Sequence, residues 1–76
     1  MAKRRRPTGL QGIIAGNVKR LRKARGISQE ALAEICGYHR TYLGMVERGE
    51  RNISIATLEA LAVALDVEAH QLLLKE

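Results

Sequence analysis

The chain has 76 residues, which makes one domain that buries only about 60% of the surface its unfolded form exposes. Its single cysteine excludes an internal disulfide and, without a secretory signal, fits a reducing, cytoplasmic setting. No apolar run approaches the roughly 18 residues that a membrane-spanning helix needs, so we expect no membrane association.

The net charge of +5 is unevenly distributed along the chain. Residues 1–25 hold nine Lys or Arg and no acid, whereas residues 26–52 hold three Arg against four Glu. Residues 53–76 hold one Lys against four acids. The basic end therefore attracts polyanions and favours a nucleic-acid partner, although a solvated basic surface would give the same excess.

The first ten residues contain the run KRRRP and show no repeating apolar face. We therefore divide the chain into a flexible basic arm, residues 1–10, and a folded domain, residues 11–76. The arm could contact phosphates or enter a minor groove, or it could be a tail that only adds solubility.

The first helix is predicted over residues 13–25, where Ile14, Val18 and Leu21 recur at helical spacing on one face. Gly26 follows at the position where a helix often ends in a left-handed residue. The cations Lys19, Arg20, Lys23 and Arg25 occupy the other faces.

A second helix is predicted to begin after Ser28, whose hydroxyl can cap its first turn. Its buried side is expected to contain Leu32, Ala33, Ile35 and Cys36. The small Ala33, followed four residues later by Gly37, allows two helices to meet at a steep angle. This arrangement predicts a helix-turn-helix with the next helix.

The third helix is predicted over residues 40–48, with His39 as a weak N-cap. Leu43 and Val46 are expected to face inward. The outward face is predicted to carry Arg40, Thr41, Gly44 and Met45. An outward glycine weakens the helix by about 1 kcal/mol relative to Ala. Gly44 could therefore mark close approach to a phosphate backbone or thymine methyl, or simple tolerance of glycine.

The fourth helix, residues 55–65 after the cap Ser54, is apolar nearly all round. Its inner face is expected to contain Ile55, Leu58, Leu61, Ala62 and Leu65. A fifth helix, residues 68–74, adds three consecutive leucines. Because a domain this small cannot bury so much apolar surface, we expect a second subunit to cover part of it. The predicted dimer contacts are Ala60, Val63, Ala64, Leu73 and Leu74.

No pattern in the sequence predicts catalysis or a cofactor. The soft metal ligands His39, His70 and Cys36 lack the paired spacing of a zinc site, so no metal is expected. Phosphate-binding loops and nucleophile elbows do not occur either. We expect no enzyme activity.

The residue pattern resembles the lambda-repressor-like family, also called the Cro or XRE type. With Gln29 as the first motif position, the fifth, ninth, fifteenth and eighteenth are Ala33, Gly37, Leu43 and Val46. The segments LRKARGISQEALA, ERG and IATLEALAVALDV agree as well. Within the family, HRTYLGMVERGERNIS looks most like the controller proteins of restriction–modification systems, which are small dimeric regulators that bind operators upstream of their own genes.

This resemblance implies an all-α, five-helix fold with the helix-turn-helix at helices 2 and 3. It implies that Gln29 contacts phosphate and braces the recognition helix, and that Arg40 and Thr41 meet base edges. It also implies a structural salt bridge between helices 1 and 3, from Arg22 to Glu47.

Other residues of the predicted DNA-binding set leave alternatives open. Tyr42 matches a position along the DNA backbone, but could instead pack at the rim of the helix. His39 replaces the usual Ser, Thr or Asp cap, so it could contact DNA or only cap. The full predicted set is Gln29, His39, Arg40, Thr41, Tyr42, Gly44, Met45, Arg51 and Asn52.

The sequence thus predicts a homodimeric regulator of transcription that binds near-palindromic double-stranded DNA, such as a restriction–modification controller. It could also contact RNA polymerase from the acidic side of helices 3 and 4. The alternative is an antitoxin-type interaction protein that binds DNA only to regulate its own operon.

Overall fold

The computed structural model describes residues 9–75, so the predicted contacts of the KRRRP run lie outside the described residues. Residues 9–75 form helices without any strand. The elements are α1 Gly9–Ala24, α2 Gln29–Cys36, α3 Arg40–Glu47, α4 Ile55–Leu65 and a 3-10 helix Ala69–Leu73. The all-α prediction is confirmed, and the predicted fifth helix is present as a 3-10 helix, so the described residues hold four α-helices.

The last element is a 3-10 helix because it is a single short piece closed by tight turns. The backbone N–H of Gln71 donates to the Glu68 carbonyl at 2.9 Å, three residues back. The Gln71 side chain returns to accept from the Glu68 N–H at 2.8 Å. Such bonds suit a segment of five residues, which is too short to support a stable α-helix.

Helix α1 begins at Gly9, four residues before the predicted start, so Gly9 and Leu10 are helical rather than part of the arm. The buried side chain of Asn17 links this glycine-containing helix to the segment around Leu72. The amide of Asn17 donates to the carbonyls of Leu72 and Leu74, each at 2.9 Å. These bonds dock the C-terminal segment on α1, and tertiary contact outweighs the low helix propensity of glycine.

One apolar core joins all five elements. The helix-turn-helix supplies Leu43 and Val46, which face inward as predicted. The turn at Gly37 has a φ of 78°, a left-handed conformation that glycine adopts without steric cost. The core residues are Ile14, Val18, Leu32, Ala33, Leu43, Val46, Leu61, Ala62, Leu65 and Leu72.

Two residues that were predicted to be buried are exposed. Ile35 is 61% exposed because it lies roughly 100° around α2 from the centre of the stripe formed by Leu32, Ala33 and Cys36. Ile55 is 78% exposed because it is the first residue of α4 and its side chain points back beyond the helix end.

The helix ends are capped much as the sequence predicts. Ser28 Oγ accepts from the Ala31 N–H, and Ser54 Oγ accepts from the Thr57 N–H, each at 3.0 Å. These bonds satisfy N–H groups that would otherwise lack a partner in the first turn. Within residues 9–75, no helix combines the length and the apolar character needed to cross a membrane.

Arg25 makes a contact that the sequence did not reveal. Its Nε donates to the Leu65 carbonyl at 2.8 Å, and its Nη2 lies 3.3 Å from Asp66 Oδ2. Asp66 has a φ of 58°, which turns the chain out of α4. A cation from the end of α1 thus binds the negative end of α4 and fixes the two helix ends together.

Candidate nucleic-acid interface

A buried ion pair sets the position of α3. Arg22 Nε donates to Glu47 Oε2 at 2.6 Å and Arg22 Nη2 to Glu47 Oε1 at 3.1 Å. Arg22 Nη1 also donates to the Ile27 carbonyl at 2.9 Å. Both charged residues are 8% exposed. The predicted salt bridge is confirmed, and its forked geometry restricts rotation of α3 relative to α1.

Gln29 extends this network from the first turn of α2. Its Nε2 donates to Glu47 Oε1 at 2.9 Å, and its side chain is only partly buried. The bracing role that the resemblance implies is therefore present. The phosphate contact implied for the same residue stays a prediction.

His39 caps α3, which was one of the two alternatives for this residue. Its Nδ1 accepts from the Thr41 N–H at 3.0 Å, and the residue is otherwise exposed. Since Nδ1 accepts, a neutral ring carries its proton on Nε2 and presents that nitrogen as a donor. Contact of His39 with DNA stays a prediction.

The exposed side chains at the start of α3 are those of Arg40 and Thr41. Within the part of the chain that the structure describes, no acid forms an ion pair with Arg40. Met45 is one further helical turn along and is half-buried. A guanidinium and a hydroxyl are therefore available at the end of a rigidly held helix, as base-edge contacts require.

The outward placement of Gly44 is wrong. Gly44 is buried because the side chains of Gln29 and Arg48 cover it. A Cβ built on Gly44 would lie 3.3 Å from Arg48 Nη1 and 3.8 Å from Gln29 Oε1. The missing side chain thus makes room for these two protein groups, and close approach of DNA to Gly44 is not proposed.

Tyr42 and Arg51 are in contact with each other. The Arg51 guanidinium lies 5.4 Å from the centre of the Tyr42 ring, and Arg51 Nη1 lies 3.9 Å from Met45 Sδ. Tyr42 is half-buried and packs against the core, so the rim-packing alternative describes it. The predicted loop residues Arg51 and Asn52 are both exposed, and their DNA contacts stay predictions.

An ion pair at the end of α3 was missed by the sequence analysis. Arg48 Nε donates to Glu50 Oε2 at 3.0 Å and Arg48 Nη2 to Glu50 Oε1 at 3.2 Å. These hydrogen bonds hold the pKa of the Glu50 carboxyl below its ordinary value and raise the pKa of Arg48. Residues two apart do not face each other in a helix, so helical spacing gave no signal for this pair.

Three of the predicted dimer residues, Ala60, Val63 and Ala64, lie together on one groove of about 770 Å³. Ile35 and Val67 also line this groove. Val63 is 80% exposed, the most of any large apolar side chain among the described residues. Leu73 and Leu74 are exposed as well, but the structure does not place them in this groove.

The chain is similar to known proteins both in sequence and in fold. Residues 18–72, more than two thirds of the chain, match the profile of the helix-turn-helix family HTH_3. The chain belongs to this family. The helix-turn-helix at α2 and α3, predicted from Ala33, Gly37 and the apolar spacing, is thereby confirmed.

Relatives of this helix-turn-helix protein include restriction–modification control proteins. Control protein C.SmaI of Serratia marcescens is 48% identical over 67 residues, which are 88% of this chain and 80% of that protein. The crystal structure of controller protein C.AhdI from Aeromonas hydrophila matches with a TM-score of 0.79 at 44% identity, covering 82% of this chain and 94% of that one. The predicted likeness to controllers is confirmed.

A third relative was crystallised with nucleic acid. SinR, a master regulator for biofilm formation, in complex with DNA matches with a TM-score of 0.75 at 41% identity. The match covers 79% of this chain and 97% of the SinR chain.

Proposed function

We propose that this helix-turn-helix protein is a sequence-specific regulator of transcription that binds duplex DNA through α3, in the manner of a restriction–modification controller. The observation that carries the proposal is the exposed pair Arg40 and Thr41 at the start of a helix held by the buried ion pair between Arg22 and Glu47. A rigid helix with free polar side chains at its N-terminal end fits a major groove.

General attraction to DNA is assigned to α1 and the basic arm. The helix-turn-helix itself is slightly acidic, whereas residues 1–25 hold nine cations. Lys19, Arg20 and Lys23 are exposed on α1. We propose that these charges and the KRRRP run contact phosphates without reading sequence, which makes binding dependent on salt.

We further propose that the protein acts as a homodimer through the groove of Ala60, Val63 and Ala64. A second copy is the occupant that the proposed function favours, because two recognition helices about 34 Å apart meet successive major grooves of a two-fold site. Most residues that line the groove are apolar, among them five alanines, which suits an apolar partner of the same kind, and Glu59 and Glu68 line it as well. Contact with RNA polymerase and a cytoplasmic location stay predictions.

Selection of bound sequences from random duplex DNA tests this function. We expect enrichment of a near-palindromic motif with guanine at the position read by Arg40, since arginine pairs bidentately with guanine. The control is selection with an Arg40→Ala, Thr41→Ala variant, which should enrich no motif. If the unaltered protein enriches no sequence either, the proposal fails. An enriched motif without two-fold symmetry would contradict the proposed dimer. It would still support sequence recognition by α3.

A further inference from the structure

Arg51 is held against α3 although it is an exposed loop residue. Two neutral groups of α3 contact it: the Tyr42 ring, 5.4 Å from the guanidinium, and the Met45 sulfur, 3.9 Å from Nη1. Within residues 9–75, no carboxylate forms an ion pair with it. Its position is therefore restricted while its charge stays available for an anion.

The other arginine of this loop region provides the contrast. Arg48 is bound at two nitrogens by the Glu50 carboxylate, which offsets its charge. The two arginines are three residues apart, yet only one of them is paired with an acid. Arg48 therefore holds local structure, whereas Arg51 keeps a charge that can bind a polyanion.

Tyr42 is itself anchored on the body of the domain. Its ring contacts the Tyr38 ring at a centroid distance of 5.2 Å and an angle of 52°. The Tyr38 hydroxyl lies 3.0 Å from Thr57 Oγ1, and Thr57 is 6% exposed in the first turn of α4. Both rings are half-buried, so the face that Tyr42 offers to Arg51 is fixed by contacts that reach α4.

We propose that Tyr42 is a positioning residue that orders Arg51 for contact with DNA, with Tyr38 and Thr57 as its support. This rests on the proposed function, since Arg51 must meet DNA for its order to matter. A flexible arginine loses side-chain freedom on binding, and the ring removes part of that loss beforehand. The hydroxyl of Tyr42 has no part in this role, because the ring face makes the contact.

The free protein gives the first test, by NMR. The Tyr42 ring current should shift the Arg51 side-chain protons away from the values of Arg48. The shift should vanish in Tyr42→Leu and persist in Tyr42→Phe. If Tyr42→Leu leaves the Arg51 protons unchanged, the contact does not exist in solution and the proposal is overturned. This measurement needs no DNA, so its failure is separate from failure of the proposed function.

The second test is a double-mutant cycle in affinity for the selected DNA site. We expect Tyr42→Leu to weaken binding by about threefold per recognition helix, hence about tenfold for a dimer, and Tyr42→Phe to restore it. In an Arg51→Ala background, Tyr42→Leu should have little further effect. The charge-neutral control, Arg48→Ala with Glu50→Ala, should bind within about twofold of the unaltered protein.

Two results would contradict positioning by Tyr42. Equal losses from Tyr42→Leu with and without Arg51 would mean that the ring acts through the fold or on DNA directly. A loss in Tyr42→Phe as large as that in Tyr42→Leu would assign the effect to the hydroxyl. Thermal unfolding of each variant shows whether the domain is intact, and the cycle cancels a loss of stability common to both backgrounds.

Discussion

At the residue scale, the ion pair between Arg22 and Glu47 is the central structural contact. Both carboxylate oxygens of Glu47 accept hydrogen bonds from Arg22, and Oε1 also accepts one from Gln29. Helices α1, α2 and α3 therefore meet at a single carboxylate. No buried side-chain nitrogen or oxygen among the described residues lacks a hydrogen bond. A fully satisfied network of this kind fixes helix orientation, whereas a partly satisfied one would destabilise the fold.

Replacement of Glu47 by Gln should therefore destabilise the domain strongly. The change leaves Arg22 buried without an opposite charge, and breaking such a pair costs about 3 kcal/mol of unfolding free energy. Chemical denaturation monitored by circular dichroism measures this loss. Glu50→Gln, which breaks the exposed pair with Arg48, is the matched control and should change stability little. A Glu47→Gln variant as stable as that control would contradict the role of the pair.

At the element scale, Gly44 marks a conflict between helix propensity and side-chain space. A Cβ there would meet the end of the Arg48 side chain at 3.3 Å. Arg48 is exposed, and the atom that the Cβ would meet is Nη1, at the far end of the side chain, which Glu50 does not bind, so it can move aside by a few tenths of an ångström. The helix would then benefit from alanine.

We predict that Gly44→Ala raises the free energy of unfolding by up to about 1 kcal/mol. Gly49→Ala is the control with the opposite sign, because Gly49 has a φ of 74° that alanine adopts only with strain. Thermal unfolding measures whether Gly44→Ala stabilises the domain and Gly49→Ala destabilises it. Destabilisation by Gly44→Ala would show that the positions of Arg48 and Gln29 are tightly constrained.

The helices and the core were predictable because their signals are local. Periodic apolar residues predicted α2, α3 and α4 to within a residue or two, and the family pattern predicted the pair of Arg22 and Glu47. Contacts that depend on which helix ends meet gave no such signal. The bonds of Arg25 to Leu65 and of Asn17 to Leu72 join residues 40 and 55 positions apart.

The candidate site was predictable in its residue types and less so in its geometry. Arg40 and Thr41 are exposed at the start of α3 as expected. Gly44 was misplaced because the pattern cannot show that Arg48 folds back over it. The contact between Tyr42 and Arg51 joins a helix to a loop, so helical periodicity could not reveal it.

At the scale of the whole molecule, DNA binding and dimerisation are assigned to two different surfaces. The basic α1 and the start of α3 are assigned to DNA, and the apolar groove of α2 and α4 to a second copy. Ile35 was expected to be in the core but instead lines this groove. The exposed side chain of Ile35 therefore adds to the proposed dimer surface.

We predict that Val63→Glu shifts the protein from dimer to monomer, because a charge would be buried without a partner in the interface. Analytical ultracentrifugation over a range of concentrations measures the change. Ile55→Glu is the matched control, since Ile55 is equally apolar and 78% exposed but does not line the groove. A monomer for the unaltered protein, or equal effects of both variants, would contradict the assigned dimer surface.

The most direct test of the central claim is the affinity of Arg40→Ala for its selected site and for random duplex DNA. We predict a loss of about 10- to 100-fold per recognition helix on the selected site and a much smaller loss on random DNA, since each α3 loses one bidentate base contact. Lys19→Ala should weaken binding to both DNAs equally. An equal loss on both DNAs for Arg40→Ala would show that Arg40 binds only phosphate and that α3 does not read the sequence.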